Sequence, residues 1–270
     1  MPWENNISAA TCRLILFVSE ALSRSMEIIR IARATQALLL TGITGSNSLI
    51  NQTIDLLLQR QQPDGGWVDP EETAWAVGCM CIAQNQNDSA VQAAIQWLHT
   101  VRLPTGGWGR HPRDQARIPI TSLISSLVPE AMKRKDIVWL ENEWARDFRS
   151  TVRLSYKAGF YLLAMPQGQE NALIEQTIAH LAQDQNLNGG FAPWKGHPMG
   201  SECWSTGVVL WGLSRWADRV DHSILERALN WLFRTQLPGG YWPYHYLDDG
   251  TSMTLIGAVA AMKALAVKEK

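Results

Sequence analysis

Two short segments combine carboxylic acids with a threonine at the predicted start of a helix. They are Asp69-Pro70-Glu71-Glu72-Thr73-Ala74 and Leu247-Asp248-Asp249-Gly250-Thr251-Ser252. Such acids can donate a proton when a dry site keeps them neutral. Acids at helix N-termini also cap the helix and are favoured by its dipole, which is the alternative interpretation. The candidate proton donors and their supporting acids are Asp69, Glu71, Glu72, Asp248 and Asp249.

Tryptophan is unusually frequent, with 13 Trp against 5 Tyr and 5 Phe. Trp204, Val208 and Trp211 share one face of a predicted helix because they are spaced by four and seven residues. Indole faces attract cations, so acids above an indole-lined apolar pocket are suited to generate and hold a carbocation. The alternative is that these rings only pack in the core. The candidate substrate-binding aromatics are Trp75, Trp108, Trp194, Trp204, Trp211, Trp242, Tyr156 and Phe160.

Two groups of basic residues are candidates for binding phosphate oxygens. Arg153 and Lys157 lie four residues apart on a predicted apolar helix, and Arg110, Arg113 and Arg117 share one loop. The alternatives are an ion pair of the helix residues with Glu130 and solvated charge in the loop. We expect no metal site and no redox cofactor, with Mg²⁺ relevant only if the substrate carries a diphosphate.

Four Gly-Gly-aromatic units punctuate the chain, at Gly65-Gly66-Trp67, Gly106-Gly107-Trp108, Gly189-Gly190-Phe191 and Gly239-Gly240-Tyr241. Their spacings are 41, 83 and 50 residues. Because 83 is about twice 41, a degenerate unit is expected near 146–150, and another near Arg24. Six repeats of this length indicate a solenoid, a propeller or a closed array. The aromatic after the glycines can also act as a structural wedge over the turn.

The segments between the turns have apolar residues spaced by three and four, which predicts helices. An amphipathic helix precedes each Gly-Gly pair, and a helix that is apolar on most sides follows it. The apolar helices are predicted at 73–83, 121–128, 206–216 and 251–265, with further helix pairs in 10–42 and 136–165. About twelve alternating helices predict an all-α protein, an α/α toroid of six hairpins forming a single domain over residues 1–270. An open solenoid is the competing geometry.

Three strings carry a family resemblance: 61–67 (QQPDGGW), 103–109 (LPTGGWG) and 236–241 (QLPGGY). They resemble the repeat of the prenyltransferase and squalene-hopene cyclase superfamily. Its class II terpene cyclases protonate an alkene or epoxide with the middle Asp of an Asp-x-Asp-Asp-Thr-Ala motif. Segment 69–74 aligns with this motif without a gap, with Glu at both later acids. The resemblance implies that Glu71 donates the proton and that Asp69 and Glu72 orient it or tune its acidity. Asp249 stands two residues before Thr251, as Glu71 does before Thr73.

Other activities of the superfamily match less well. The zinc site of protein prenyltransferases has three protein ligands. The segment Glu202-Cys203-Trp204-Ser205 resembles part of that site and retains its cysteine, but Ser201 and Gly250 stand at the positions of the other two ligands. Asp248-Asp249 lacks the third acid of a metal-dependent class I synthase. The leading hypothesis is a class II terpene cyclase that acts on an isoprenoid. The alternatives are a non-catalytic toroid that binds a prenylated or peptide partner, and a prenyltransferase-like subunit.

The composition bears on nucleic-acid binding and on the cellular compartment of the protein. The formal net charge is -1, and no extended run of Lys and Arg supports nucleic-acid binding. Four irregularly spaced cysteines favour a reducing compartment. No window approaches about 18 uninterrupted apolar residues. We therefore expect a cytoplasmic protein, with peripheral membrane contact and the oligomeric state left open.

Overall fold

The computed structural model describes residues 3–24, 26–84, 88–111, 113–168 and 171–267. Within these residues the secondary structure is helical, with one isolated β-bridge between Leu154 and Trp194. The all-α class and the helix number predicted from periodicity are confirmed. The α-helices are α1 (Glu4–Ser23), α2 (Ile28–Leu40), α3 (Ser48–Arg60), α4 (Pro70–Ile82), α5 (Asp88–Val101), α6 (Ile118–Leu127), α7 (Arg134–Phe148), α8 (Ser155–Ala164), α9 (Ala172–Asp184), α10 (Cys203–Ser214), α11 (His222–Thr235) and α12 (Leu247–Ala266).

Two kinds of helix alternate, as the hydrophobic pattern predicts. Helix α3 buries Ile50, Thr53, Ile54 and Leu57, which form one stripe at helical spacing. Helix α4 buries every residue from Pro70 to Met80 except Glu71. Helices α4, α6, α10 and α12 begin three or four residues before the threonines predicted as their starts. In α4 and α10 the reason is that Asp69 and Glu202, which precede the threonine, already bond the first backbone N–H groups.

The chain divides into two compact units. The N-terminal unit is Thr11–Leu140, and the C-terminal unit combines Met1–Ala10 with Glu141–Lys270. In the N-terminal unit the buried helices α2, α4 and α6 pack in sequence, and in the C-terminal unit α8, α10 and α12 do the same. The connections from α1 to α2 and from α7 to α8 fall where the spacing predicts units that lack the Gly-Gly pair.

Each Gly-Gly turn is closed by the same bonds. At the first turn, Gly65 has φ +98, and the Trp67 amide N–H donates to Oγ1 of Thr73. The amide of Trp108 donates to Thr121 in the same way. The threonine that follows each turn therefore ties the turn to its buried helix.

The fourth turn is offset by one residue from the sequence alignment. Gly240 has φ +86 and takes the position of Gly65, so Tyr241 replaces the second glycine. Trp242, rather than Tyr241, then occupies the aromatic position, and its amide donates to Thr251. The predicted equivalence of Tyr241 with Trp67 is wrong, because the hydrogen-bond pattern of the turn, and not the Gly-Gly pair, sets the register.

Glycines let the buried helices of the C-terminal unit approach backbone to backbone. A Cβ atom on Gly257 of α12 would lie 1.9 Å from the carbonyl oxygen of Gly207 on α10. A Cβ atom on Gly212 of α10 would lie 2.2 Å from the carbonyl oxygen of Gly159 on α8. Because the obstructing atoms belong to helix backbones, no side-chain rotation can relieve either clash.

We expect Gly257→Ala to destabilise the protein by about 1–3 kcal/mol, the usual cost of overpacking. The two helices must separate, and this cost exceeds the gain in helix propensity of up to about 1 kcal/mol. The measurement is the free energy of unfolding in urea. Gly78→Ala is the matched control, since its Cβ atom would meet side chains rather than backbone, with the Gln36 amide oxygen at 2.8 Å and Cβ of Leu127 at 3.3 Å. Equal effects of the two substitutions would contradict the rigid contact.

Candidate active site

Three carboxylic acids lie at the start of α4, where the sequence predicts them. Asp69 is the N-cap, and its Oδ1 accepts the Glu72 amide N–H at 2.8 Å. Pro70 occupies the first turn, where its missing N–H costs nothing. The local sequence thus begins the helix in a way that holds Glu71 and Glu72 in fixed positions one residue apart.

Glu72 is buried, and both of its oxygens accept backbone hydrogen bonds. Oε2 accepts the amide of Ile29 at 3.1 Å, and Oε1 accepts the amide of Val68 at 3.4 Å. Burial raises the pKa of Glu72, an effect that the two amides oppose and that the nearby Asp69 and Glu27 reinforce. Glu72 therefore fastens the start of α2 to the start of α4.

The raised pKa of Glu72 leads to a prediction about stability. Since the pKa is higher in the folded protein than the ordinary value of 4.5, the neutral form favours folding. The contribution of neutral Glu72 to the free energy of unfolding is complete below pH 4.5 and is lost as the pH rises through the folded-state pKa of Glu72. We expect the unfolding free energy of the wild type, relative to Glu72→Gln, to fall over this interval. Urea unfolding from pH 4 to 8 measures it.

The exposed Glu226 on α11 provides the control for this experiment. The same comparison with Glu226→Gln measures any change with pH that follows from removing a surface carboxylate. A relative stability of the wild type that rises with pH would instead mean that the two backbone amides outweigh the effect of burial.

Glu71 contacts a basic side chain from another helix. Its Oε1 lies 3.1 Å from Nη2 of Arg33 on α2. The Arg33 guanidinium carbon also lies 5.3 Å from the centre of the Trp75 ring, one turn along α4 from Glu71. Trp75 is fully buried. The sequence predicts substrate binding for Trp75, whereas the structure places a protein cation over its ring.

The second acidic segment forms the first turn of α12. Asp248 is buried and Asp249 is partly buried. Gly250 is helical, and a Cβ atom there would lie 2.3 Å from Cβ of Tyr244. Glycine at this position therefore lets the loop before α12 pack against the helix.

An aromatic cluster surrounds Trp204 in the C-terminal unit. Its ring is stacked on Tyr244 at 5.8 Å, lies edge-on to Tyr156 at 5.6 Å and is 6.0 Å from Phe160. Burial raises the pKa of Tyr156, so its hydroxyl stays neutral at physiological pH. The sequence predicts Trp204, Tyr156 and Phe160 as site residues. It does not predict Tyr244, because the loop that carries this residue has no periodic pattern.

The remaining predicted aromatics have different surroundings. The indole N–H groups of Trp108 and Trp242 donate to the Leu98 and Leu232 carbonyls at 2.8 and 2.7 Å. Both rings are fully buried, as expected of wedges between turn and outer helix. Trp211 is buried on α10, and partly buried Trp194 lies edge-on to His197.

The predicted basic groups are engaged in local contacts. Lys157 pairs with Asp147 at 2.7 Å, so the ion pair considered with Glu130 is replaced by one with the end of α7. Arg153 precedes α8, and its guanidinium lies 4.9 Å from the centre of the Phe148 ring. Arg117 binds Asp114, and this hydrogen bond lowers the pKa of Asp114 to about 2.

The zinc ligands of the prenyltransferase alternative do not assemble. Glu202 caps α10 through the amides of Trp204 and Ser205. Burial raises the pKa of Cys203 to about 12, so this thiol stays protonated. Across the described part of the chain, no group of three or more His, Cys, Asp or Glu side chains is arranged to hold a metal ion.

Two further structural features bear on partners. A surface groove of about 520 Å³ in the C-terminal unit is lined by residues that include Trp3, Asn6, Leu187, Arg227, Asn230 and Arg234, and none of the predicted site residues lines it. Among the described residues, none of the helices is both long and apolar enough to cross a membrane.

The fold is the α/α toroid found in class II terpene cyclases. A variant of the type II terpene cyclase MstE from Scytonema, solved with its substrate geranylgeranyl dihydroxybenzoate, superimposes with a TM-score of 0.76 at 17% identity. The match covers 97% of this chain and 99% of that one.

Relatives in sequence are cyclases too. A drimenyl diphosphate synthase from Streptantibioticus cattleyicolor is 31% identical over 228 residues, which is 73% of this chain and 42% of that protein. The chain thus spans less than half the length of this relative. A squalene-hopene cyclase from Zymomonas mobilis is 30% identical over 87 residues, or 30% of this chain and 13% of that protein. No family model matches the chain. The resemblance predicted from the repeats and the acidic motif is confirmed.

Proposed function

We propose that the chain is a class II-type terpene cyclase, in which a carboxylic acid protonates an isoprenoid and starts a carbocation cyclisation. The observation that carries the proposal is the geometry of Glu71, a motif acid at the start of a buried helix with an arginine 3.1 Å from its carboxylate. The likeness to MstE and to the drimenyl diphosphate synthase supports it. The match over nearly the whole chain also supports one toroid domain over residues 1–270.

The proposed reaction is an isomerisation. Glu71, loaded with a proton, transfers it to a terminal alkene carbon or an epoxide oxygen, and a tertiary cation forms. The next double bond supplies its π electrons to this cation, which closes a ring and moves the positive charge along the chain. Loss of a proton from carbon ends the sequence. Asp69 and Glu72 fix the helix turn that holds Glu71.

We propose that the cluster of Trp204, Tyr244, Tyr156 and Phe160 supplies ring faces to cationic intermediates. Its support is the close packing of four rings, of which Trp204 and Tyr156 remain partly exposed. Trp194 and Trp211 are further proposed contacts. If the substrate carries a diphosphate, Arg153 and Lys157 are the proposed contacts to its oxygens, and Mg²⁺ accompanies it.

The test is a product assay by chromatography with mass detection. The purified protein is incubated with linear isoprenoids, their diphosphates and prenylated aromatics, each with and without a chelator. We expect a cyclised product of the same mass as its substrate. A product that persists with chelator indicates that the reaction does not need Mg²⁺, as we expect for a substrate without a diphosphate. Absence of product from well-folded protein contradicts the proposal and favours the non-catalytic toroid, which a pull-down would then test.

Asp249→Asn distinguishes the two acidic segments in the same assay. We expect product formation to continue in this variant, because the proton comes from Glu71. Loss of product in Asp249→Asn with retention in Glu71→Gln would move the proton donor to α12.

A further inference from the structure

Arg33 is a basic residue within a helix that is otherwise buried and largely apolar. Its side chain is only 11% exposed, and the neighbouring residues Ala32 and Ala34 are fully buried. Burying a guanidinium is costly unless it is paired. Arg33 contacts Glu71 at 3.1 Å and lies 5.3 Å from the Trp75 ring centre. Both partners lie on α4, one turn apart, so a single guanidinium spans them.

The position of Arg33 relative to Glu71 is set by the helices that carry the two residues. Helices α2 and α4 pack along one another in the N-terminal unit. The bond from the Ile29 amide to Glu72 fastens the start of α2 one turn before Arg33. The Trp75 ring adds a cation–π contact, which favours a guanidinium lying across the indole. Arg33 is thus preorganised and need not move during a proton transfer.

A fixed guanidinium beside an acid changes what the acid can do. When Glu71 releases its proton it becomes a carboxylate, and a cation 3.1 Å away stabilises that product in a site with little water. Protonating an alkene requires a strong acid, so stabilising the conjugate base lowers the barrier. The same contact fixes the direction in which the carboxyl group points.

We infer that Arg33, held against Trp75, is a positioning residue that sets the acid strength and orientation of Glu71. The inference rests on the proposed cyclase function for its catalytic meaning, while the interaction between the two residues can be measured without any substrate. Nothing in the acidic motif itself identifies Arg33, which lies 38 residues earlier in the chain.

Other charged groups near Glu71 have to be considered. At the start of α4 the neighbouring acids are Asp69 and Glu72, and Glu27 precedes α2. Helix α2 also carries Arg30, whose guanidinium carbon lies 5.5 Å from the centre of the Phe17 ring. Among the described side chains, the charged or titratable residues of the other helices packed on α4 are Arg117 at the start of α6, Asp55 and Arg60 of α3, and His99 of α5. Of these, Arg117 binds Asp114 and His99 bonds Arg102. Nη2 of Arg33 lies 3.1 Å from the Glu71 carboxylate.

The first experiment measures titration of the Glu71 carboxyl group directly. Protein labelled with ¹³C at the glutamate carboxyl carbon is titrated by NMR, and the Glu71 signal is assigned by its absence in Glu71→Gln. We expect Arg33→Gln to move the titration midpoint upward by about one pH unit or more, because a neighbouring cation lowers a carboxyl pKa by about 1–3 units. Arg33→Lys, which keeps the charge, should retain most of the wild-type midpoint. An unchanged midpoint in Arg33→Gln overturns the inference.

A second variant guards against misfolding of Arg33→Gln. Trp75→Leu removes the ring and keeps both charged partners, so its midpoint should rise by less than that of Arg33→Gln. Trp75→Phe keeps an aromatic face and should stay close to the wild type. If Arg33→Gln fails to fold, the two Trp75 variants decide. Equal titration midpoints of Glu71 in Trp75→Leu and Trp75→Phe would contradict the inference that the Trp75 ring holds Arg33 against Glu71.

The second experiment is the dependence of the rate on pH. In Arg33→Gln we expect the fall in activity with rising pH to occur at a higher pH than in the wild type. The maximal rate should fall about tenfold or more because the acid is weaker. A lower rate with no shift in the pH at which activity falls would show that Arg33 is merely structural. If the wild type forms no product, the proposed function fails, and the NMR titration still decides whether Arg33 controls Glu71.

Discussion

Glu71→Gln is expected to reduce the rate of product formation by about 10²–10⁴, the range typical of losing a general acid. An amide cannot donate a proton of comparable acidity, although it has nearly the same shape as the carboxyl group. It can still accept a hydrogen bond from Arg33, so the contact between α2 and α4 should persist. We therefore expect a small change in the unfolding free energy beside a large loss of turnover, measured by urea unfolding and single-turnover product formation.

Two companion variants define what this loss means. Glu226→Gln removes an exposed carboxylate from α11 and should leave the rate unchanged. Glu71→Asp keeps the acid but shortens its arm by one methylene, so partial activity is expected. Full activity in Glu71→Gln would exclude Glu71 as the proton donor and direct attention to Glu72 and Asp249.

Asp136→Ala should lower the free energy of unfolding by about 3–5 kcal/mol, as for other buried ion pairs that lose one partner. Asp136 is fully buried in the first turn of α7. Its Oδ2 lies 3.1 Å from Nε of Arg102, while its carboxylate accepts the amides of Gly107 and Lys133 at 2.9 and 2.8 Å. The substitution removes the partner of a buried guanidinium and leaves two amides without an acceptor.

The position of Asp136 explains why one residue matters this much. Gly107 belongs to the second Gly-Gly turn and has φ +72, and Arg102 also lies 4.8 Å from the Trp108 ring centre. Asp136 therefore holds the turn, its tryptophan and the start of α7 together. The measurement is urea unfolding, with Asp55→Ala on the exposed face of α3 as the control.

A double variant separates the charge from the packing. Arg102→Met combined with Asp136→Ala removes the unpaired cation, so it should recover part of the loss relative to Asp136→Ala alone. If the single Asp136→Ala variant cost less than about 1 kcal/mol, water would have to reach Arg102 and the buried network described above would be wrong.

The repeat pattern by itself determined much of this protein. Apolar spacing predicted alternating amphipathic and buried helices, because each helix must bury one stripe or nearly all of its surface. The Gly-Gly pairs located four of the turns, and the acidic motif located Asp69, Glu71 and Glu72 at a helix start, where capping is a local property. These features depend on residues close together in the chain.

Only the tertiary structure decided which groups meet. Arg33 reaches Glu71 because α2 packs on α4, and a buried arginine indicates that it has a partner without identifying the partner. Lys157 pairs with Asp147, and Tyr244 joins Trp204 through a loop that has no periodicity. The wedge tryptophans Trp108 and Trp242 look the same in sequence as Trp204, since residue type does not reveal which ring has its N–H bonded to a neighbouring helix. Contacts between distant segments depend on how helices pack, which local spacing does not encode.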